Sequence, residues 1–325
     1  MNEKLLGLLP YNLVDRHIKD REYFGEEAMR TPSVFNEKGE KMHIFYLKNS
    51  LNAHTPYSMV AGRMPDRIFW DRFNQGLPIH FYNHKDMLKL SKFGQRRFGI
   101  LRESEAIVPE DYKMLMDHPE MAGEFHHIFT HNEEILNRFE NASFVPAYGV
   151  WYGTELFGGE MNPNTYQKKT KEISVISSDK LISDYHKIRL SIAHKYMKNP
   201  KVDGYGKGCG NYIKLKADAL TEYRYSIVVE NGLSSYYFTE KILDCFASMT
   251  VPIYLGAPKI GEFFNEDGII TIDPKNPENL DTILKNCCEK DYTSRLEAIK
   301  DNYNRVQKFL SFEDYILDNY PSYFE

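Results

Sequence analysis

Residues 223–258 read YRYSIVVENGLSSYYFTEKILDCFASMTVPIYLGAP. Within them YSIVVE (225–230) reads as a strand. A loop rich in glycine and serine follows. TEKILDCFASM (239–249) then brings Ile242, Leu243, Cys245, Phe246 and Met249 onto one side of a helix, and VPIYLG (251–256) is a second buried strand. The same alternation extends outward. Upstream, EISVIS (172–177) reads as a strand and YHKIRLSIAHKYM (185–197) as a helix through Ile188, Ile192 and Tyr196, with VDGYG (202–206) as a short strand and turn. Downstream, GIITID (268–273) is another strand, and Pro277 to Tyr320 carries spaced apolar residues that predict helices. Repeated strand–helix–strand units predict an α/β fold with a parallel sheet covered on both faces.

The first half is less regular. HIFYLKN (43–49) reads as a buried strand, RIFWDRFNQGLPIHFYNH (67–84) as strand and loop, and Gly99, Ile100 and Leu101 as a strand running into RESEAIVPEDY. FHHIFTH (125–131) and SFVPAYGVWY (143–152) are expected to close this domain. Thr154 to Thr170, with its paired glycines and NPN run, is the expected crossing. The chain has 325 residues, suited to two domains: 1–160, and 161–325 with the final helices packing back on the first.

A formal net charge of −5 supplies no general field for nucleic acid. Four cysteines without CxxC spacing fit a reducing compartment. The N-terminal LLGLL run is broken by Pro10 and is too short for a bilayer span, so a cytoplasmic protein, at most peripherally associated with the inner face of a membrane, is expected. His80 with His84, and His127 with His131, have i, i+4 spacing but lie in strand or loop, so no metal site is expected.

Open parallel sheets bind ligands beyond the C-terminal ends of their strands. The turn VVENGLSSYYFTEK is such a place: Asn231 follows a strand, Thr239 can cap the next helix, and Glu240 and Lys241 open it. A glutamate suits that end of the helix dipole, but a lysine there is ill placed unless an anion shares the site. A diphosphate held by helix N–H groups, Lys241 and Arg189 is one resolution; ordinary surface charge is the other.

The order and spacing of Glu-Asn, a loop, an aromatic residue, Thr-Glu-Lys, and then Val-Pro-Ile and a glycine across residues 223–258 resemble the donor-binding signature of the alpha-1,3/1,4-fucosyltransferases, glycosyltransferase family 10. The resemblance implies a GT-B type fold, two Rossmann-like domains facing across a cleft, with GDP-fucose bound mainly by the C-terminal one. It implies Arg189 and Lys241 on the diphosphate, Asn231 and Tyr237 on the nucleotide or its phosphates, and Glu240 on ribose or fucose hydroxyls. Two departures are Val228 and Val229 where the family has an aromatic residue, and Gly232 where serine or threonine often stands. The family's catalytic glutamate loop corresponds to residues 103–109, ESEAIVP, which offers Glu103 on the longer spacing to Pro109 and Glu105 on the shorter; Glu103 is favoured as base. In an extended backbone the two would face opposite sides. No two aspartates are separated by one residue, so the DxD metal motif of many other glycosyltransferases is absent.

The expected activity is inverting transfer of fucose from GDP-fucose to a hydroxyl of an oligosaccharide, glycolipid or surface-polysaccharide acceptor. No cofactor or metal is essential to it, although a divalent cation can accompany the diphosphate. The alternatives are the same fold acting on another nucleotide sugar, and a glycan- or nucleotide-binding module without transfer chemistry.

Overall fold

In the computed structural model, residues 33–50, 63 and 65–325 are described, and the N-terminal LLGLL run lies outside them. The chain forms two units. The first holds the described residues up to Arg102, Glu110–Val145 and Ser311–Glu325; the second holds Glu103–Pro109 and Pro146–Leu310. The chain therefore passes between units four times, where the sequence suggested one crossing near residue 160 and a returning tail.

The first unit is built on β1 (His43–Lys48), β2 (Ile68–Asp71), β3 (Ile79–Asn83), β4 (Arg96–Leu101), β5 (His127–Thr130) and β6 (Ala142–Phe144), ordered β2-β1-β3-β4-β5-β6. Every pairing is parallel. Helices α1 (Pro109–Asp117) and α2 (Glu133–Arg138) belong to the connections β4 to β5 and β5 to β6. Phe81, Phe98 and Phe129 sit on adjacent strands and stack, with centroids 4.9 and 5.8 Å apart, which makes an aromatic ladder through the core. Phe324 packs on it at 5.5 Å from Phe98, and Trp70 Nε1 donates to Glu313 at 2.8 Å, so the last residues complete this unit. The sequence expectation of strand through residue 152 is corrected: β6 ends at Phe144, because Val145 is the last residue of the first unit and the chain then enters the second.

The second unit carries β7 (Lys171–Ile176), β8 (Val202–Tyr205), β9 (Tyr223–Val229), β10 (Val251–Leu255) and β11 (Ile270–Thr271), ordered β11-β10-β9-β7-β8 and parallel throughout. All residues of β9 and β10 are buried, including Arg224 and Ser226 on β9, and β10 accordingly shows no alternation of polar and apolar residues. Helix α3 (Asp184–Tyr196) follows β7, and α4 (Glu240–Ala247) connects β9 to β10. Strands β8 and β9 lie on opposite sides of β7, so the strand order reverses there. At such a reversal the connections leave in opposite directions and open a crevice beyond the strand ends. Both sheets are thus parallel and flanked by helices, the Rossmann-like pattern of GT-B folds.

Candidate active site

A cavity of about 510 Å³ opens in the second unit at that reversal. Its wall includes Ile176 at the end of β7 and Ser178 after it, Val228, Val229 and Asn231 at the end of β9, His186 and Arg189 from α3, and Glu240 and Lys241 from α4. Glu103, Tyr148, Trp151, Lys180, Lys214 and Lys216 also line it. Five cations, Lys180, Arg189, Lys214, Lys216 and Lys241, share the wall with the carboxylates Glu103 and Glu240, while Lys216 and Lys241 also pair with Asp244 and Glu230, which do not line it; a small cationic surplus remains for an anion.

Two helix starts feed the cavity. On α3 the Ser183 side chain caps the backbone of His186, and His186 Nδ1 accepts from the Ser183 N–H at 3.3 Å in return. Because Nδ1 accepts, the imidazole is neutral. Burial, reinforced by Arg189, Lys241 and Lys180, lowers its pKa to about 4. An unfolded chain binds this proton at its ordinary pKa near 6.5, so the stability contribution is full above about pH 6.5 and is lost as the pH falls toward 4. Glutamine is the usual partner in this reciprocal cap. His186→Gln should therefore fold well and lose less stability than the wild type between neutral pH and pH 4.5, as read by thermal melts; parallel acid limbs would show that His186 does not titrate this way.

Arg189 is buried. Its guanidinium donates to Val229 O at 3.1 Å, Asn231 Oδ1 at 3.2 Å and Ser178 Oγ at 3.3 Å, which joins α3 to the ends of β7 and β9. Burial lowers its pKa while Glu230 and Glu240 oppose the shift, and an arginine so placed remains a cation.

On α4 Thr239 is the N-cap, accepting from the Lys241 N–H. The fully buried Glu230 accepts from Thr239 N at 2.9 Å and Thr239 Oγ1 at 2.8 Å, fixing the helix start to the end of β9. Lys241 Nζ lies 3.4 Å from Glu230 and 3.3 Å from Glu240. The anion that a lysine at this helix end demanded is thus partly supplied by the protein, by Glu240 and by Glu230, whose role the sequence reading missed. For Glu240, burial pushes the pKa up, but the charges of Lys241 and Lys216 and hydrogen bonds from Lys241 and Thr239 outweigh it, so the carboxyl lies below its ordinary value and is ionised. Gly256 permits this packing, since a Cβ there would lie 2.7 Å from Glu230 Cγ and 2.2 Å from Tyr254 Oη.

Glu103 stands on the wall, and Glu105 is exposed and off it. Tyr148 Oη donates to Glu103 Oε2 at 2.8 Å; Tyr237 Oη and the Ser104 N–H donate to Oε1 at 3.3 and 2.8 Å. Three donors fix the carboxylate in one orientation. Tyr237, expected at the nucleotide, is fully buried and absent from the cavity wall, and its hydroxyl donates to Glu103. Gly232 is part of the same fit: a Cβ there would lie 2.6 Å from Ser104 Oγ, so a serine or threonine at this position would collide with the Glu103 loop.

The sequence reading also missed Lys216. Its Nζ lies 2.6 Å from Asp244 Oδ2 and 5.1 Å from the centre of the Trp151 ring. Asp244, fully buried on α4, accepts through Oδ1 from the N–H groups of Trp151 and Tyr152 at 2.7 and 2.9 Å. An aspartate inside an amphipathic helix signals an internal partner, but its partners lie 28 and more residues away and leave no local pattern. Among the described residues no group of three or more His, Cys, Asp and Glu is placed to hold a metal.

Residues 166–294 match the family model for glycosyltransferase family 10 (fucosyltransferase), C-terminal part. The alpha-(1,3)-fucosyltransferase of Helicobacter pylori is 37% identical over 68 residues, which cover 21% of this chain and 14% of that protein. The chain thus matches a small part of that relative's length. An alpha1,3-fucosyltransferase crystallised with GDP is similar in fold at 16% identity and a TM-score of 0.52, covering 96% of this chain and 98% of that one. Anabaena HepE, crystallised with UDP and glucose, is similar at 10% identity and a TM-score of 0.52, over 86% of this chain and 100% of that one. The sequence similarity is a family-level match to glycosyltransferase family 10, and the two structural likenesses establish the fold.

Proposed function

We propose that the chain is an inverting glycosyltransferase that moves fucose from GDP-fucose to a hydroxyl of a glycan acceptor. The observation that carries this reading is one cavity wall combining a triply held carboxylate, Glu103, with five cations and the starts of two helices. Glu103 takes the proton of the acceptor hydroxyl as its oxygen attacks the anomeric carbon, and the bond to the diphosphate breaks on the opposite face. Charge growing on the departing diphosphate is met by Lys241, Arg189 and the N–H groups opening α4. Ionised Glu240 accepts hydrogen bonds from hydroxyls of the ribose or the fucose, and Asn231 meets the nucleotide or its phosphates. These residues account for leaving-group stabilisation by side chains and helix termini, with a divalent ion as an optional companion of the diphosphate. Because fucosyltransferases and a protein crystallised with UDP share this fold, the choice of GDP rests on the family-level match over 166–294.

Calorimetric titration tests it. GDP and GDP-fucose should compete for one site and bind much more tightly than UDP or UDP-glucose, and Lys241→Ala should lower donor kcat/KM by about 10-fold or more. Tighter binding of UDP-sugars would replace the donor while keeping the reaction class. Binding of GDP-fucose without transfer or donor hydrolysis, over a range of glycan acceptors, would favour the binding module.

A further inference from the structure

No helix among the described residues is long and apolar enough to cross a membrane. The first unit nevertheless carries an unusual connection between β3 and β4, residues 84–95, HKDMLKLSKFGQ. It holds three lysines and one carboxylate, and Arg96 and Arg97 follow at the start of β4, in a chain whose net charge is −5. That carboxylate, Asp86, is buried and turned inward to accept from Ser50 N and Oγ, both at 2.6 Å. Arg96 and Arg97 are also engaged, with Tyr323 O at 2.7 Å and with Ser91 O and Glu124 at 3.2 and 3.5 Å. Lys85, Lys89 and Lys92 are exposed and in no ion pair among the described residues. Leu88, beside Lys89, and Phe93, beside Lys92, are 57% and 62% exposed.

The loop is fixed in place. Ser91 N donates to the buried Tyr82 Oη at 3.0 Å and Lys89 N to Asp86 O at 3.0 Å. Gly94, at φ +93, lies so close to the His80 ring that a Cβ would sit 2.8 Å from it. An ordered loop that holds two large apolar side chains in water next to unpaired lysines forgoes burial that either residue would gain in a core.

We propose that this loop docks the chain onto an anionic lipid bilayer, with Leu88 and Phe93 entering the boundary between headgroups and acyl chains and Lys85, Lys89 and Lys92 meeting the anionic headgroups. A nucleic acid would reward the lysines but not an exposed leucine, and the overall negative charge opposes it. The inference does not rest on the transfer reaction, because the loop is no part of the cavity in the second unit.

The test is co-sedimentation of the full chain with phosphatidylcholine vesicles containing about 30% phosphatidylglycerol, at low salt and at about 1 M salt. Binding should be strong at low salt, weak at high salt, and weak at any salt to pure phosphatidylcholine. Lys85→Gln, Lys89→Gln and Lys92→Gln combined should lower partitioning by about fivefold per residue. Leu88→Ser with Phe93→Ser should lower it at constant charge, with GDP affinity and melting temperature unchanged in both variants. No binding to anionic vesicles, or binding indifferent to both variants, would overturn the proposal. So would binding lost only with the lysines and matched by single-stranded RNA, which would mark a general polyanion site.

Discussion

Glu103→Gln is expected to reduce transfer at least about 100-fold while GDP affinity stays close to wild type. The amide keeps the volume of the carboxylate and can remain bonded to Tyr148, Tyr237 and Ser104 N, because each tyrosine hydroxyl can donate or accept. What it cannot do is take a proton, so the loss should fall on kcat. Glu105→Gln should be mild, since Glu105 is exposed and off the cavity wall. Turnover, GDP affinity and melting temperature of both variants separate the accounts. A selective turnover defect in Glu105→Gln with a normal Glu103→Gln would move the base by two residues, and a defect in neither would place it outside this loop.

The second large effect is on stability. Asp244→Ala should destabilise the second unit by about 3–5 kcal/mol, the cost of breaking a buried ion pair from one side. The substitution strands the Lys216 ammonium and the N–H groups of Trp151 and Tyr152 together. Burial pushes the Asp244 pKa up and the Lys216 pKa down. For Lys216 the carboxylates of Asp244 and Glu240 reverse that shift, and with an ammonium and two N–H donors around it Asp244 is held as the anion. Removing both charges with Asp244→Leu and Lys216→Met should cost less than Asp244→Ala alone if the penalty is the stranded ammonium. Denaturant unfolding of the three proteins measures this. An unfolding midpoint for Asp244→Ala equal to wild type would show that the pair is not closed in solution. Since Lys216 and Trp151 line the cavity, the single variant should also weaken GDP binding.

Most of the second unit was legible in the chain because its signals are local. The strand Tyr223–Val229 ends on the apolar run Ile227, Val228 and Val229, Thr239 caps the helix after it, and Val251–Leu255 is apolar again, so strand, helix and strand follow from local pattern and capping. The ill-placed charge of Lys241 was equally local, and it pointed to a site that needs an anion. The first unit was less legible: β6 has three partly buried residues, and the apolar run after it serves the other unit.

The sequence by itself determined the element types from β7 onward, the position of the β9–α4 turn, and the residues Arg189, Asn231, Glu240 and Lys241 as a cationic and polar set. Only the tertiary structure decided the strand order that sets β7 beside β9 and so brings Arg189 to Asn231, 42 residues away. It alone turned Tyr237 onto Glu103 across 134 residues, separated Glu103 from Glu105, and revealed Glu230, Lys216 and Asp244 as the internal counter-charges. The physical reason is that periodicity and capping report which face of an element is buried and where it ends. The partner that covers that face depends on strand order and loop closure between distant segments, and those are settled only when the whole core is packed.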